Sequence, residues 1–280
     1  MRTLKVLIDG LAFPEGPRWH GGKFVFSDMH AHQVIAVDMA GKREVICEVP
    51  NRPSGLGWLP DGRMLVVSMT DRKLMRLDRD GLKTVADMFK LAPFDCNDMV
   101  VDGRGNAYVG NFGFDLHKNE APRTTTLVMV AADGAARVVA EEMMFPNGMV
   151  ITPDGKTLIV GESFAQRLTA FDIGADGSVT NRRIWADLVN RVPDGICLDV
   201  ENAIWVACPT ASEVIRVKQG GEVAERIKVE TDAFACMLGG PDGRTLFVAT
   251  SPTSDPEKCR ATRGGRIETT QVEVTRAGLP

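Results

Sequence analysis

The phrase LPDGRMLVVS at 59–68 returns as TPDGKTLIVGES at 152–163 and as GPDGRTLFVATS at 240–251. Weaker copies stand at 20–28 (HGGKFVFSD), 102–111 (DGRGNAYVGN) and 199–208 (DVENAIWVAC). Each copy is a tight turn followed by an apolar run that ends in a small or acidic residue. Asp-Gly at such a turn supplies the positive φ that a hairpin requires. A second piece precedes each turn: PEGPRW, PSGLGW, CNDMVV, PNGMVI, PDGICL and FACMLG. Counting back from the turns makes positions 15, 54, 97, 147, 194 and 235 equivalent, at spacings of 39, 43, 50, 47 and 41. A period near 40–50 with about four strands per unit is the signature of a β-propeller.

The other two strands of each unit also recur, as QVIAVD, KLMRLD, LVMVAAD, RLTAFDI and EVIRVK, then REVICEV, KTVADM, ARVVAEEM, NRRIWADL and AERIKV. The sixth unit has a first strand near 235–240, a second at 245–250 and a third at 266–274, but no fourth. LKVLID at 4–9 directly precedes the first unit and is the candidate for the missing strand. The expectation is an all-β, six-bladed propeller, one domain over 1–280, closed by its N-terminal strand. Closure leaves only short, protected edges. Two β-sandwiches would not hold one register over six copies, and no convincing amphipathic helix supports a TIM barrel.

Composition narrows the function classes. Twenty-eight Gly and 15 Pro are spread through a chain that is 44% hydrophobic, which suits many short strands and excludes a disordered chain. No apolar run approaches the 18–20 residues of a membrane helix, and the N-terminus lacks the h-region of a signal peptide. A net charge of −4 gives no footprint for nucleic acid or acidic membrane. A cytoplasmic protein is expected, monomeric or a small homo-oligomer, with a small molecule and neither nucleic acid nor membrane as partner. The six Cys show no zinc-ligand spacing and are read as reduced thiols.

The innermost strand of a propeller blade lines the central channel, so the equivalent positions converge on one channel mouth. They are Glu15, Ser54, Asn97, Asn147, Asp194 and Ala235. Four of the six carry a carboxylate or amide, and two carboxylates aimed at one axis repel unless something positive lies between them. Hydrogen bonding to loop backbone is one reading. The other is a divalent cation held by Glu15, Asn147 and Asp194, with Asn97 or water completing the shell. All-oxygen donors suit Ca²⁺ first, or Mg²⁺ or Mn²⁺, with Zn²⁺ also accommodated by carboxylates. Loops between the second and third strands gather at the same mouth. The third, 111–124, reads as the longest and as a lid carrying Phe114, Asp115 and His117; the first carries His30 and His32.

PEGP at 14–17, ND at 97–98, FPNGMVITPDGKTLIVGES at 145–163 and PDGICLD at 193–199 together resemble the SMP-30/gluconolactonase/luciferin-regenerating enzyme family over nearly the whole chain. The resemblance implies a six-bladed propeller and a metal-dependent lactone hydrolase. It places the family's metal ligands on Glu15, Asn147 and Asp194, its substrate-side Asn on Asn97 and a further acidic residue on Asp115. Sugar-lactone members carry an Arg two residues before the ND pair; here Asp95 stands there. An acceptor-only carboxylate in place of a fixed cation argues against a typical sugar lactone and for a less polar lactone or ester. Asn97, Asp95, Asp115, Phe114 and His30 are the candidate substrate contacts.

The chemistry expected is metal-assisted attack of water on the lactone carbonyl. Asp194 or Asp115 is the general base and Asn97 stabilises the oxyanion. A carboxylate bound to a dication is a poor base, which favours Asp115 if its loop reaches the site. No G-x-S-x-G elbow is present, and no Cys has a partner His. A propeller that binds a small molecule or protein, with altered or lost hydrolase activity, is the alternative.

Overall fold

Each copy of the repeat folds as one four-stranded antiparallel sheet. The computed structural model describes residues 2–280 and contains six such sheets. The strands of the first blade are Pro14–His20, Lys23–Asp28, Gln33–Val37 and Arg43–Glu48. Blades two to five begin on Pro53–Trp58, Cys96–Val101, Pro146–Ile151 and Ile196–Leu198. Blade six contains Asp232–Gly239, Thr245–Ser251 and Gly265–Gln271, and its outer strand is Lys5–Leu11. That N-terminal strand pairs Lys5 with Thr269 and Leu11 with Gly265, so the ring closes as the sequence pattern predicts.

Burial follows position in the blade. The innermost strand Cys96–Val101 is buried at every residue, whereas the outermost strand Val179–Asp187 is exposed along most of its length. Between blades, large apolar side chains fill the wedge: Phe24, Trp205 and Phe247 are fully buried in one cluster. Each such side chain contributes roughly 1.5–3 kcal/mol through burial. The inner strands approach so closely that several of their glycines have no room for a Cβ. One at Gly55 would lie 2.4 Å from Met99 N, and one at Gly148 would lie 2.6 Å from the carbonyl oxygen of Asp194. The glycine that follows the channel position therefore fixes how near one blade's functional residue lies to the next.

Three features depart from the sequence reading. The third strand of blade six ends at Gln271 rather than 274. Beyond it, Leu279 pairs with Ile151 and Arg276 with Asp199, so the C-terminal segment lies across the far end of the channel. A short helix, Pro256–Thr262, occupies the loop of blade six. Its signal was local: Asp255 accepts hydrogen bonds from Glu257 N and Lys258 N, and Pro256 takes the first helical position. The loop holding this helix runs from 252 to 264, as long as 112–124, so the third loop is not the single longest.

Candidate metal and active site

Glu15, Ser54, Asn97, Asn147 and Ala235 are buried where the innermost strands begin, and Asp194 beside them is partly buried. Asp194 lies just ahead of its strand and is held by backbone: its N–H donates to Ala207 O (2.9 Å), and Gly195 N donates to Phe234 O (2.8 Å). Glu15 is pinned by the amide of Gly16, which donates to its Oε2 (2.8 Å). Asn147 Nδ2 donates to Ser163 Oγ (3.2 Å), and Ser163 Oγ donates to Pro193 O (2.7 Å). With its Nδ2 engaged there, the Asn147 side chain keeps its oxygen as acceptor.

The electrostatics of this floor are unfavourable for two bare carboxylates. Burial, then the neighbouring Asp194, pushes the Glu15 carboxyl well above the usual carboxylate range. Burial likewise raises Asp194 to about 8, although hydrogen bonding from Asn147 and Glu15 opposes the rise. Desolvation and like charge are the effects a divalent cation would reverse, and the oxygen donors present fit a hard cation. Among the described residues no three His, Cys, Asp or Glu side chains cluster as a metal site. A cation here would therefore rest on two carboxylates, one amide oxygen and solvent or substrate.

Beneath the floor lies a charge pair that the sequence reading did not find. Arg18 Nη2 donates to Asp98 Oδ1 at 2.6 Å, and the guanidinium also reaches the carbonyls of Leu56, Pro17 and Met99. Both residues are buried. Arg18 comes from blade one and Asp98 from blade three, so no local spacing reveals the pair.

Above the floor opens a cavity of about 790 Å³. Phe13, Met29, Met69, Phe112, Phe145 and Phe234 are among its lining residues, with Asp95, Asn97, His30 and His117 as polar members. Two aromatic groups form its walls. Phe112 stacks on Phe145 at 4.4 Å between centroids, and Phe13 meets Phe234 edge-on at 4.7 Å and stacks on His30 at 5.1 Å. Burial, and then the Arg52 charge, lowers His30 to about 4, so its imidazole is neutral at pH 7. Its Nε2 faces Ser254 O at 3.3 Å, while Nδ1 has no partner. Asn97 Oδ1 accepts from Ser54 Oγ at 3.4 Å, and its buried Nδ2 also lacks a partner. An unpartnered buried amide at the foot of a cavity is a donor waiting for a ligand.

The structure does not bring all the candidates together. Glu15, Asn97, Asn147 and Asp194 share the floor, and Asp95 and His30 line the cavity. Asp115 is turned away. Its Oδ1 accepts from His117 N and Lys118 N (both 3.1 Å), capping the 3-10 turn Leu116–Lys118, and its Oδ2 lies 3.2 Å from Lys118 Nζ. These contacts hold its carboxyl below the usual range against the opposing pull of desolvation. Phe114 is buried beneath the wall, against Phe145 and Phe164, and does not line the cavity. The cysteines are free thiols, and burial pushes Cys208 up to about 12, so none is poised as a nucleophile.

Cavity residues that, Asp95 apart, the sequence reading did not single out do obey its register. Two positions before each channel residue stand Phe13, Arg52, Asp95, Phe145, Val192 and Ala233, and the first five line the cavity. These five stand just ahead of the innermost strands at one register position, so this second tier was visible once the first had been aligned.

Comparisons with known proteins agree with this architecture. Regucalcin of Xenopus laevis is 24% identical over 246 residues, covering 85% of this chain and 82% of that protein. Regucalcin of Bos taurus is 28% identical over 162 residues, covering 54% and 53%. Among solved structures, a luciferin-regenerating enzyme superposes with a TM-score of 0.84 at 20% identity, covering 99% of this chain and 98% of the other. A calcium-binding regucalcin from Agrobacterium tumefaciens gives 0.82 at 22%, covering 100% and 97%. A gluconolactonase from Xanthomonas campestris gives 0.79 at 21%, covering 96% and 89%. Among the described residues no helix is long and apolar enough to cross a membrane. The profile described as the SMP-30/gluconolactonase/LRE-like region matches residues 13–252, and with six blades built on that repeat the chain belongs to this family.

Proposed function

We propose that the protein opens a lactone, or a related cyclic ester, with a divalent cation held by Glu15, Asn147 and Asp194. The observation that carries this reading is the pair of carboxylates on the floor, Glu15 raised by burial and by Asp194, and Asp194 raised by burial, beside the unpartnered amide of Asn97. Ca²⁺ is the favoured ion, since the donors are all oxygen and relatives include proteins described as calcium-binding. When bound, the cation supplies positive charge that polarises the carbonyl and acidifies a water molecule.

The chain's own residues supply the rest. Asn97 Nδ2 donates to the carbonyl oxygen as it gains charge, an interaction that strengthens in the transition state. Asp194 takes a proton from the attacking water, and that proton goes to the alkoxide released as the ring opens. Asp194 is preferred to Asp115 because the Asp115 carboxylate is committed to its cap and to Lys118. Glu15, fixed by Gly16 N–H, orients the charge without moving. The aromatic walls and the two methionines exclude water from the reacting bond and favour an apolar substrate body.

The test is lactone opening with γ-phenyl-γ-butyrolactone and with gluconolactone, before and after chelation. Metal-restored hydrolysis with preference for the phenyl compound is expected, together with loss of turnover in Asp194→Ala while the propeller stays folded. A fully active Asp194→Ala variant would overturn the assignment. Calcium binding without turnover on any lactone would support a binding propeller instead, a reading favoured by the calcium-binding description of the Agrobacterium relative.

A further inference from the structure

Arg52 is an unusual residue for its place. It stands two positions before Ser54 in the second tier of the mouth and lines the cavity. Its backbone has φ +65°, a left-handed conformation that favours glycine or asparagine and strains a long side chain. The conformation is held from both sides: Arg52 N donates to Val49 O, and Met69 N donates to Arg52 O. Its charge reaches Asp95, His30 and His117 through space. Among the described residues its guanidinium makes no ion pair or side-chain hydrogen bond. The other charges near the axis are accounted for: Arg18 is matched by Asp98, and Glu15 and Asp194 are the proposed cation ligands. A guanidinium presenting unused N–H donors to an aromatic-walled recess is a fork for a planar oxyanion.

We infer that Arg52 seats a carboxylate on the substrate, so that the site takes a lactone or ester with an apolar body and a carboxylate arm. The inference rests on the lactone reading for the reacting group only. The apolar body lies against Phe13, Phe112, Phe145 and Phe234, and the carboxylate pairs bidentately with Arg52 at the upper tier. Asp95, the next tier member, holds the guanidinium by charge without occupying its donors.

The test is a calorimetric titration of the calcium-loaded and chelated protein with 4-phenylbutyrate and with 4-phenylbutyramide. The carboxylate is expected to bind at least tenfold more tightly than the amide in both forms, since a charge-assisted bidentate pair exceeds a neutral contact by about that factor. Arg52→Gln should abolish the discrimination, and Asp95→Asn should keep it. Arg52→Gly relieves the left-handed strain, so a melting temperature at or above that of the parent, with lost discrimination, separates recognition from folding. Equal binding of the two probes, or discrimination that survives in Arg52→Gln, would overturn the inference. Discrimination that disappears on chelation would overturn it too, since the carboxylate would then be a metal ligand. Arg52-dependent binding in a protein that hydrolyses no lactone would support this inference while removing the lactonase reading.

Discussion

The proposed binding of calcium to the floor has to displace protons, and the expected number follows from the structure. In the metal-free protein the Asp194 carboxyl titrates near 8 and Glu15 lies well above its ordinary value, both chiefly through burial. A group with a midpoint near 8 is about nine-tenths protonated at pH 7. A bound dication requires both carboxylates ionised. Calcium binding at pH 7 should therefore release between about one and two protons, and the release should fall toward zero above the pH at which both sites have ionised. Apparent affinity should rise about tenfold per pH unit for each proton released. The assay is isothermal titration calorimetry at pH 7 in buffers of different ionisation enthalpy, repeated across pH 6–9. The same linkage acts on stability. Because the folded value of Asp194 lies above its unfolded value of about 4, the metal-free protein is most stable below pH 4 with respect to this group. It loses that contribution, at most on the order of 5 kcal/mol, as pH rises from about 4 to about 8. The calcium-loaded protein should not show this loss. A binding enthalpy independent of buffer, with affinity flat from pH 6 to 8, would refute the placement of the ion between these carboxylates.

Other substitutions separate the roles assigned above. Asn97→Leu removes the unpartnered donor and should lower kcat by about 10²–10³ with little change in calcium affinity, read by steady-state kinetics and calorimetry. Asp115→Ala should cost about 1 kcal/mol in urea unfolding through loss of the cap and change kcat less than tenfold; a loss as deep as that of Asp194→Ala would restore Asp115 as the base. Arg18→Met leaves Asp98 buried without its partner and should destabilise the chelated protein by about 3–5 kcal/mol, with recovery of stability in the Arg18→Met/Asp98→Leu double variant. Deleting residues 1–11 removes the outer strand of blade six and exposes the edge Gly265–Gln271, so aggregation in light scattering is expected.

The repeat made the fold legible because each blade is a local structure. Asp-Gly turns, short apolar runs and the return strand lie within one copy of the period, so the pattern survives without knowledge of the ring. The floor was legible for a related reason: repetition aligns equivalent positions, and Glu15, Asn147 and Asp194 depart from symmetry where symmetry would put similar turn residues. The upper tier, with Arg52 and Phe145, was two residues away in the same register and could have been read from it. Phe114 was not separable from its neighbours Phe112 and Phe145, because which of three nearby rings faces the cavity depends on how the others stack. The helix at Pro256–Thr262 escaped because seven residues give too little periodicity to outweigh the strand pattern around them.

What the sequence by itself determined was the blade, the number of blades, the closure and the residues that converge on the axis, since all of these follow from periodicity and turn chemistry. What only the tertiary structure decided was where individual side chains spend their polar atoms. Asp115 could reach the floor on spacing alone, yet two backbone amides and Lys118 claim its carboxylate first. Arg18 and Asp98 meet across three blades, a distance that chain separation cannot encode. Arg52 is left with open donors because the neighbouring blade's Asp95 acts on it through space only, with no hydrogen bond. The physical reason is common to all three. A repeat fixes the backbone position of each residue, but the competition among hydrogen-bond partners is settled between blades, in the low-dielectric space that folding creates.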